Sequence, residues 1–229
     1  MSIAVLIPAA GTSTRFGPLN KLTTRLAGLP VMAHTLQAFA RRTDVVRIIV
    51  ATRDPALIDI CAEFDIVRCV PGAENRSASV RATLAALPPE IDVVCVHDAA
   101  RPLVTQPLID RCFAAAAELG AVAAAVPMTS TVKRAASVEL PAKVEATLDR
   151  STLFCLQTPQ VMKLSLLQRA YHDTPLDLAD VTDDLQLLES IGIDVHLVSG
   201  ELDNLKITHA QDLLIAESHL RARAYAARS

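Results

Sequence analysis

The sequence predicts an α/β fold built on a mostly parallel sheet. Short apolar runs rich in β-branched residues recur along the chain, and the segments between them carry apolar residues at helical spacing. Strands that alternate with helices form βαβ crossovers, so the predicted fold is a Rossmann-like, mostly parallel twisted sheet flanked by helices. The 229 residues suffice for one such unit, and we therefore expect 1–229 to form a single domain.

The predicted strands are the apolar runs themselves, because each is short and bounded by polar or turn residues. In chain order they are IAVLI (3–7), VVRIIV (45–50), IVRCV (66–70), IDVVCV (91–96), AVAAAV (121–126) and DVHLV (194–198). Polar clusters follow the first, third and fourth of these runs. Since ligands of parallel sheets bind outside the carboxyl ends of the strands, we expect the three clusters to meet in one crevice.

The predicted helices lie between the strands and would each place one apolar face on the sheet. Two stretches carry that pattern most clearly, with Val80, Leu84 and Leu87 in the first and Leu108, Cys112 and Phe113 in the second. The stretch VTDD (181–184) is typical of a helix start, with a capping side chain and acids in the first turn. A last helix is predicted to begin near His209.

The segment 128–152 differs from the rest, because it contains the polar stretches TSTVKRA and VEATLDR and no helical stripe. We interpret it as a protruding two-stranded β-arm used for dimerisation. An ordinary surface hairpin is the alternative interpretation.

Composition excludes several classes of function. The net charge of −3 and the absence of tryptophan argue against a nucleic-acid footprint, which needs a basic face or stacking aromatics. The five cysteines form no CxxC pair and lie mostly in apolar runs, so we expect buried, reduced thiols. No signal peptide or membrane-spanning run is recognisable, and the expected location is therefore cytoplasmic.

The stretch PAAGTSTRFGPLNK (8–21) after the first strand suggests a phosphate cradle. Gly11 allows the backbone to approach a ligand, and consecutive amide groups in such a turn form an anion site. Arg15 and Lys21 would add positive charge against phosphate oxygens. The spacing matches neither a P-loop nor a dinucleotide fingerprint. A simple turn with a solvated arginine and lysine is the alternative.

Asp98 of HDAARP follows a strand predicted to be buried, where a carboxylate needs a cation or an exposed crevice. A magnesium ion held by one or two carboxylates and by nucleotide phosphates fits that position, and a structural ion pair with Arg101 is the alternative. In ELDNLKIT, Asp203 and Lys206 repeat the pattern of an acid and a base after a strand. Asp203 is therefore a candidate for a second metal carboxylate, or else a turn residue.

The sequence contains no catalytic serine or cysteine signature and no histidine metal pattern. The candidate site combines groups that can bind an anion with a candidate magnesium site, and it has no evident general base. This combination is typical of phosphoryl or nucleotidyl transfer, where positioning and charge stabilisation supply most of the catalysis.

The motifs of this chain resemble those of one known family in order and spacing, over nearly the whole chain. They are PAAGTSTRFG with NK, GAENRSASV, VHDAARP, STVKR, LDR with LQTPQ, TDD and DNLKIT. That family is the 2-C-methyl-D-erythritol 4-phosphate cytidylyltransferases of the non-mevalonate isoprenoid pathway. Sugar and molybdenum-cofactor nucleotidyltransferases share the opening motif, but the combination of HDAARP with QTPQ and DNLKIT is much more specific for this family. The resemblance implies a nucleotide-diphospho-sugar transferase-like fold.

The resemblance also implies a reaction of CTP with methylerythritol phosphate, with Mg²⁺ on the triphosphate and pyrophosphate as a product. The implied charge-stabilising and catalytic residues are Arg15, Lys21, Arg150 and Lys206. The implied CTP contacts are Ala9, Ala10, Gly11, Gly72, Ala73, Ser79 and Asp98. The implied contacts to the alcohol phosphate include Arg101, Thr131 and Thr158, and the implied metal ligands are Asp98 and Asp203. Family members are homodimers with crossing arms, which implies that Thr131 serves the partner's site.

The chain departs from the family pattern at Ser13, at Asn20 and Leu22 around Lys21, at Ala73 and at Ser130. These departures keep the charged groups but affect loop geometry and contacts to the alcohol. Two other hypotheses stay open at this point. One is a cytidylyltransferase for ribitol 5-phosphate or another polyol phosphate, and the other is a nucleotide-binding module without turnover.

Overall fold

The computed structural model describes residues 1–11, 16–17 and 20–226. Its centre is a seven-stranded sheet with the strand order β11-β7-β10-β6-β1-β4-β5. These strands are β1 Ile3–Pro8, β4 Val45–Ala51, β5 Val67–Val70, β6 Val93–Val96, β7 Ala121–Pro127, β10 Phe154–Lys163 and β11 His196–Ser199. A short hairpin of β2 Arg25–Leu26 and β3 Leu29–Pro30 precedes the first helix.

The helices that cover the sheet are α1 Val31–Ala40, α2 Pro55–Ala62, α3 Arg76–Leu84, α4 Gln106–Leu119, α5 Leu164–Asp173, α6 Asp184–Ser190 and α7 Ala210–Ala226. Side chains cap several of them, and Asp183 accepts hydrogen bonds from two amides at the start of α6, as the VTDD pattern predicts. Within the described residues, none of these helices has both the length and the apolar character needed to cross a membrane.

Alternate residues of β1 face two separate parts of the core. Ile3, Val5 and Ile7 pack with α1, α2 and α4 on one face, whereas Ala4 and Leu6 pack with α3, α5 and α6 on the other. Both sets are fully buried because the side chains of a strand alternate between the faces of its sheet. The predicted α/β class and the six predicted strands are confirmed.

The strand β10 was missed by the sequence analysis. It pairs antiparallel with both β6 and β7, so it interrupts an otherwise parallel arrangement at the middle of the sheet. Its pairing with β7 is irregular between Leu156 and Gln160, around Thr158 and Pro159. Proline has no amide hydrogen to donate, and its presence disguised a central strand.

The predicted β-arm is present as an antiparallel pair of β8 Lys133–Ala135 and β9 Val144–Thr147. A 3₁₀ turn at Arg150–Thr152 then leads into β10. The tip of the arm exposes two large apolar side chains, Val138 (99%) and Leu140 (85%). The arm thus extends from the sheet without covering any of the apolar core.

Candidate active site

A cleft of about 370 Å³ opens at the carboxyl ends of β1, β5 and β6. Its walls come from 8–11 at the end of β1, 73–76 after β5 and 98–100 after β6, together with Lys21 and Lys206. The three polar clusters therefore meet as predicted, because the parallel strands β1, β5 and β6 all end at the same edge.

Asp98 is the carboxylate at the centre of this cleft. Its oxygens lie 3.0 Å from Lys206 Nζ, 3.1 Å from Arg101 Nε and 3.9 Å from Arg76 Nε. Burial by itself raises the pKa of Asp98, but Lys206, Arg101 and Arg76 together hold that pKa well below its usual range. Asp98 is therefore an ionised carboxylate surrounded by three cations.

The loop that carries Lys206 is tied to the strand end that carries Asp98. The amide of Ile207 donates to the carbonyl of Ala100 at 2.8 Å, and Lys21 Nζ donates to the carbonyl of Ile207 at 2.9 Å. The side chain of Lys21 is thus bound to the same loop that carries Lys206.

A buried amide network fixes the start of the same loop. Asn204 is fully buried, and its side-chain amide donates to the carbonyl of Thr158 at 2.8 Å. The guanidinium of Arg101 donates to the carbonyl of Asn204 at 2.7 Å. The side-chain amide of Gln157 donates a hydrogen bond to the carbonyl of Glu201 at 2.8 Å. The central strand β10 thus holds the loop that presents Lys206.

A second hydrogen-bond chain runs beneath Asp98 through a neutral histidine. The Asp98 amide donates to Thr158 Oγ1 at 3.0 Å, and that hydroxyl lies 3.0 Å from His97 Nδ1. His97 Nε2 lies 3.2 Å from the carbonyl of Arg101. Complete burial lowers the pKa of His97 to about 4. The network assigns the proton to Nε2 and makes Nδ1 the acceptor for the hydroxyl.

The opposite wall of the cleft is built by the turn into α3. Ser79 Oγ accepts from the amide of Ala73 at 3.0 Å, and Asn75 caps the helix by accepting from the amide of Ala78 at 2.8 Å. Gly72 packs so closely on Ala10 that a Cβ atom added at Gly72 would lie 2.3 Å from the Ala10 Cβ. The turn and the strand end after β1 therefore form one fitted surface.

The model of one protein family, described as IspD: 2-C-methyl-D-erythritol 4-phosphate cytidylyltransferase, matches residues 3–222 of the chain. The chain belongs to this family. A cytidylyltransferase of that name from Synechococcus elongatus is 40% identical over 230 residues, covering 97% of this chain and 98% of the relative. Another from Streptomyces coelicolor is 42% identical, covering 96% of this chain and 85% of the relative.

A solved structure and a further sequence relative agree with this family membership. The 2-C-methyl-D-erythritol 4-phosphate cytidylyltransferase of Thermus thermophilus superposes with a TM-score of 0.78 at 32% identity, covering 96% of this chain and all of that one. A bifunctional enzyme IspD/IspF from Desulfotalea psychrophila is 38% identical, but the chain spans only 57% of its length. The chain therefore corresponds to nearly all of the single-function cytidylyltransferases and to about half of the bifunctional one.

The structure brings most of the predicted site residues to the cleft wall. Those that line it are Ala9, Ala10, Gly11, Lys21, Ala73, Ser79, Asp98 and Lys206. Arg101, Thr158 and Gly72 do not line it but hold residues that do. Arg15 lies outside the described residues, as does Ser13.

Three predicted residues lie elsewhere in the structure. Thr131 and Arg150 belong to the exposed arm segment, where the Arg150 guanidinium donates to the carbonyl of Thr129 at 2.6 Å. Asp203 pairs instead with α7, at 3.3 Å from His219 Nδ1 and 3.8 Å from Arg223. The structure thus does not bring Asp203 to the cleft beside Asp98.

The donor set of the cleft fits a magnesium ion held mainly by phosphates. Within the described part of the chain, no group of three or more histidine, cysteine, aspartate or glutamate side chains is placed to hold a metal. Asp98 and Glu74 are the two carboxylates among the described residues that line the cleft. One or two carboxylates plus nucleotide phosphates suffice for Mg²⁺, which keeps several of its waters.

Arg76 is a cleft residue that the sequence analysis missed. It is the first residue of α3, lines the cleft and forms an ion pair with buried Asp184 at 2.5 Å. Burial by itself lowers the pKa of Arg76, but the Asp184 and Asp98 carboxylates raise it above the ordinary value. The sequence signal was an arginine directly after the capping Asn75 in GAENRSASV, but its acidic partner is 108 residues away.

Proposed function

We propose that this chain catalyses the reaction of CTP with 2-C-methyl-D-erythritol 4-phosphate, which yields 4-diphosphocytidyl-2-C-methyl-D-erythritol and pyrophosphate. Membership of the cytidylyltransferase family supports the reaction. The observation that carries the assignment of the site is the Asp98 cluster, in which Lys206 and Arg76 face a cleft at three strand ends. Such a concentration of fixed cations suits a triphosphate and the charge that develops on it.

In the proposed step, a phosphate oxygen of the alcohol phosphate attacks the α-phosphorus of CTP in line. A new oxygen–phosphorus bond forms while the bond from the α-phosphorus to the bridging oxygen breaks, and its electron pair leaves with pyrophosphate. Lys21 and Arg15 stabilise the charge that develops on the α-phosphate, and Lys206 holds the attacking phosphate. No protein group needs to take up a proton, because the nucleophile is already an anion.

The nucleotide is proposed to bind along the surface formed by 9–11 and 72–79. Small side chains at Ala9, Ala10 and Ala73 leave backbone amides close to the ligand, which favours an anionic or polar partner. Ser79 keeps this surface in place through its hydrogen bond with the Ala73 amide.

A magnesium ion is proposed to bind with the triphosphate, with Asp98 as the protein ligand. When bound, the ion would neutralise phosphate charge and orient the leaving pyrophosphate. Asp203 is not included, because its carboxylate faces His219 and Arg223 on α7.

We further propose that the chain is one catalytic domain whose arm completes the site of a second copy. Arg150 and Thr131 are assigned to the alcohol phosphate, whereas Arg101 and Thr158 are assigned to holding Asp98 in place. Neither arm residue lines the cleft of its own chain, which supports a homodimer with exchanged arms. A cytoplasmic location is proposed because CTP is a cytoplasmic metabolite.

The test is pyrophosphate release by the purified protein with Mg²⁺ and CTP, with methylerythritol 4-phosphate and ribitol 5-phosphate offered side by side. We expect release only with the methylerythritol substrate, and only with CTP among the four ribonucleoside triphosphates. Release only with ribitol phosphate would overturn the alcohol assignment but keep the cleft as a CTP site. CTP binding without release for any alcohol would leave a nucleotide-binding module.

A further inference from the structure

Arg76 is held in the cleft wall by an ion pair with Asp184, a residue that the proposed reaction does not use. Its guanidinium bridges two carboxylates, Asp184 at 2.5 Å and Asp98 at 3.9 Å. Asp98 faces the cleft, whereas the side chain of Asp184 is completely inaccessible to solvent. One arginine therefore connects a buried acid to the centre of the active site.

Asp184 has a second buried partner on another helix. Its other carboxylate oxygen lies 2.8 Å from the hydroxyl of Tyr171 in α5, and that hydroxyl also lies 2.9 Å from the carbonyl of Ser77 in α3. Burial raises the pKa of Tyr171, and the Asp184 charge raises it further, so the phenol keeps its proton. The first turns of α3 and α6 are thereby joined through α5.

Capping the start of α6 does not require the contacts of Asp184 with Arg76 and Tyr171. Capping of α6 is already provided by the neighbouring Asp183, which accepts from the amides of Leu185 and Gln186. Asp184 instead balances the charge of Arg76, since a buried carboxylate without a cation would be strongly unfavourable. Its position next to the cap is therefore not explained by capping.

The guanidinium of Arg76 lies closer to Asp184, at 2.5 Å, than to Asp98, at 3.9 Å. Asp98 has closer contacts with Lys206 and Arg101, at 3.0 and 3.1 Å, than with Arg76. If Asp184 lost its charge, Arg76 would move towards Asp98 and compete with Lys206 for that carboxylate. The ion pair with Asp184 thus keeps Arg76 on the nucleotide side, beside the turn that contains Ala73 and Ser79.

We propose that Asp184 and Tyr171 are positioning residues for CTP binding, because they hold the Arg76 guanidinium at the cleft wall where it meets the nucleotide. This inference rests on the proposed function, since it takes CTP as the ligand of the cleft. It adds two residues to the site that touch neither substrate.

The test is calorimetric titration of CTP into the full-length protein, together with steady-state kinetics. Asp184→Asn keeps the size of the side chain and removes its charge, and we expect the Kd and KM for CTP to rise about tenfold. The KM for the alcohol phosphate should change less than the KM for CTP. Tyr171→Phe should raise the Kd for CTP about threefold.

Asp183→Asn is the matched control, because it removes an acid from the same helix start while asparagine caps equally well. It should bind CTP like the wild type. Arg76→Ala should weaken CTP binding, and adding Asp184→Asn to Arg76→Ala should cause no further loss, because the two residues act as one unit.

An unchanged Kd for CTP in folded Asp184→Asn would overturn the inference, as would additive losses in the double variant. If Asp184→Asn does not fold, Tyr171→Phe decides the question, and wild-type affinity in that variant would count against the inference. A wild type that binds CTP but releases no pyrophosphate would refute the proposed reaction alone. A wild type that does not bind CTP would refute both.

Discussion

Asp98 is the residue around which the charges of the cleft are arranged. A carboxylate this deeply buried is tolerated because Lys206, Arg101 and Arg76 surround it. Both interpretations that the sequence left open for HDAARP are therefore compatible with the structure. Arg101 does form the structural ion pair, and Asp98 still lines the cleft.

Lys21 lines the cleft, and we propose that it acts on charge that develops during the reaction. We expect Lys21→Ala to lower kcat about 100-fold and to change the Kd for CTP much less, because charge present only in the transition state affects turnover. Steady-state kinetics and calorimetry give the two quantities. Lys163→Ala, an exposed lysine outside the cleft, is the control. Equal losses in kcat and affinity would contradict the assignment.

Gly72 is required by the close approach of two backbone segments. In Gly72→Ala the new methyl group would meet the Ala10 Cβ at 2.3 Å, so the turn after β5 must move away from the strand end after β1. We expect weaker CTP binding and a loss of stability of about 1–3 kcal/mol. Calorimetry and urea unfolding measure both effects.

The double variant Ala10→Gly with Gly72→Ala moves the methyl group from one side of this contact to the other. It should recover most of the CTP affinity, because the contact regains its original spacing. Failure to recover, or a Gly72→Ala protein that binds CTP normally, would show that the contact does not shape the site.

At the scale of the elements, the arm is the part of the chain that depends least on its own core. Among the residues that the structure describes, the strands β8 and β9 pair only with each other, and an isolated two-stranded hairpin is marginally stable in water. Val138 and Leu140 are almost fully exposed at its tip. In the proposed homodimer, a second copy of the chain covers these two side chains and receives Thr131 and Arg150 at its cleft.

We expect the protein to be a dimer by light scattering, and the double variant Val138→Asp with Leu140→Asp to be largely monomeric. Its pyrophosphate release should fall sharply, because each cleft would lose the arm residues of its partner. Ile58→Asp, at an exposed apolar position of α2, is the control and should remain dimeric. A monomeric, fully active wild type would refute the arm exchange.

At the scale of the whole molecule, the central strands β6 and β10 support both the core and the site. His97, directly after β6, and Thr158, within β10, lie 3.0 Å apart beneath Asp98. The His97 ring also packs edge-on against Phe39 of α1, with 4.9 Å between the ring centroids. A neutral imidazole therefore links the sheet, a covering helix and the active site.

This histidine predicts a pH dependence of stability. Complete burial lowers the pKa of His97 from 6.5 to about 4, so between these values the unfolded chain binds a proton that the folded protein does not. The neutral, buried His97 makes its full contribution to the free energy of unfolding above pH 6.5. As the pH falls from 6.5 to 4, the free energy of unfolding decreases by up to about 3 kcal/mol. Urea unfolding without nucleotide at pH 7.5, 5.5 and 4.5 measures it.

A His97→Asn variant should show a smaller decrease in stability over the same pH range, because asparagine does not titrate. His172→Gln, which alters a largely exposed histidine, should keep the wild-type dependence. Equal pH dependence in His97→Asn and in the wild type would contradict the neutral, buried histidine. Asp98 does not disturb the comparison, since its pKa lies below the ordinary 3.8.

The sequence by itself determined the α/β class, six strands, the arm and the meeting of three polar clusters at one edge. These features follow from local signals. Alternating and helical apolar spacing decides which segments are strands or helices, and parallel strands must end at the same edge. The family motifs also identified Lys21, Asp98 and Lys206, which the structure brings to the cleft.

Only the tertiary structure decided the features that depend on partners distant in the chain. Pro159 hid the central antiparallel strand β10, which only its pairing with β6 and β7 reveals. Asp203 and Asp98 looked alike in sequence, but packing turned one towards α7 and the other into the cleft. Arg76 and Asp184 form an ion pair although they are 108 residues apart in sequence. Tertiary packing, and not sequence spacing, decides which counterion lies next to a buried charge.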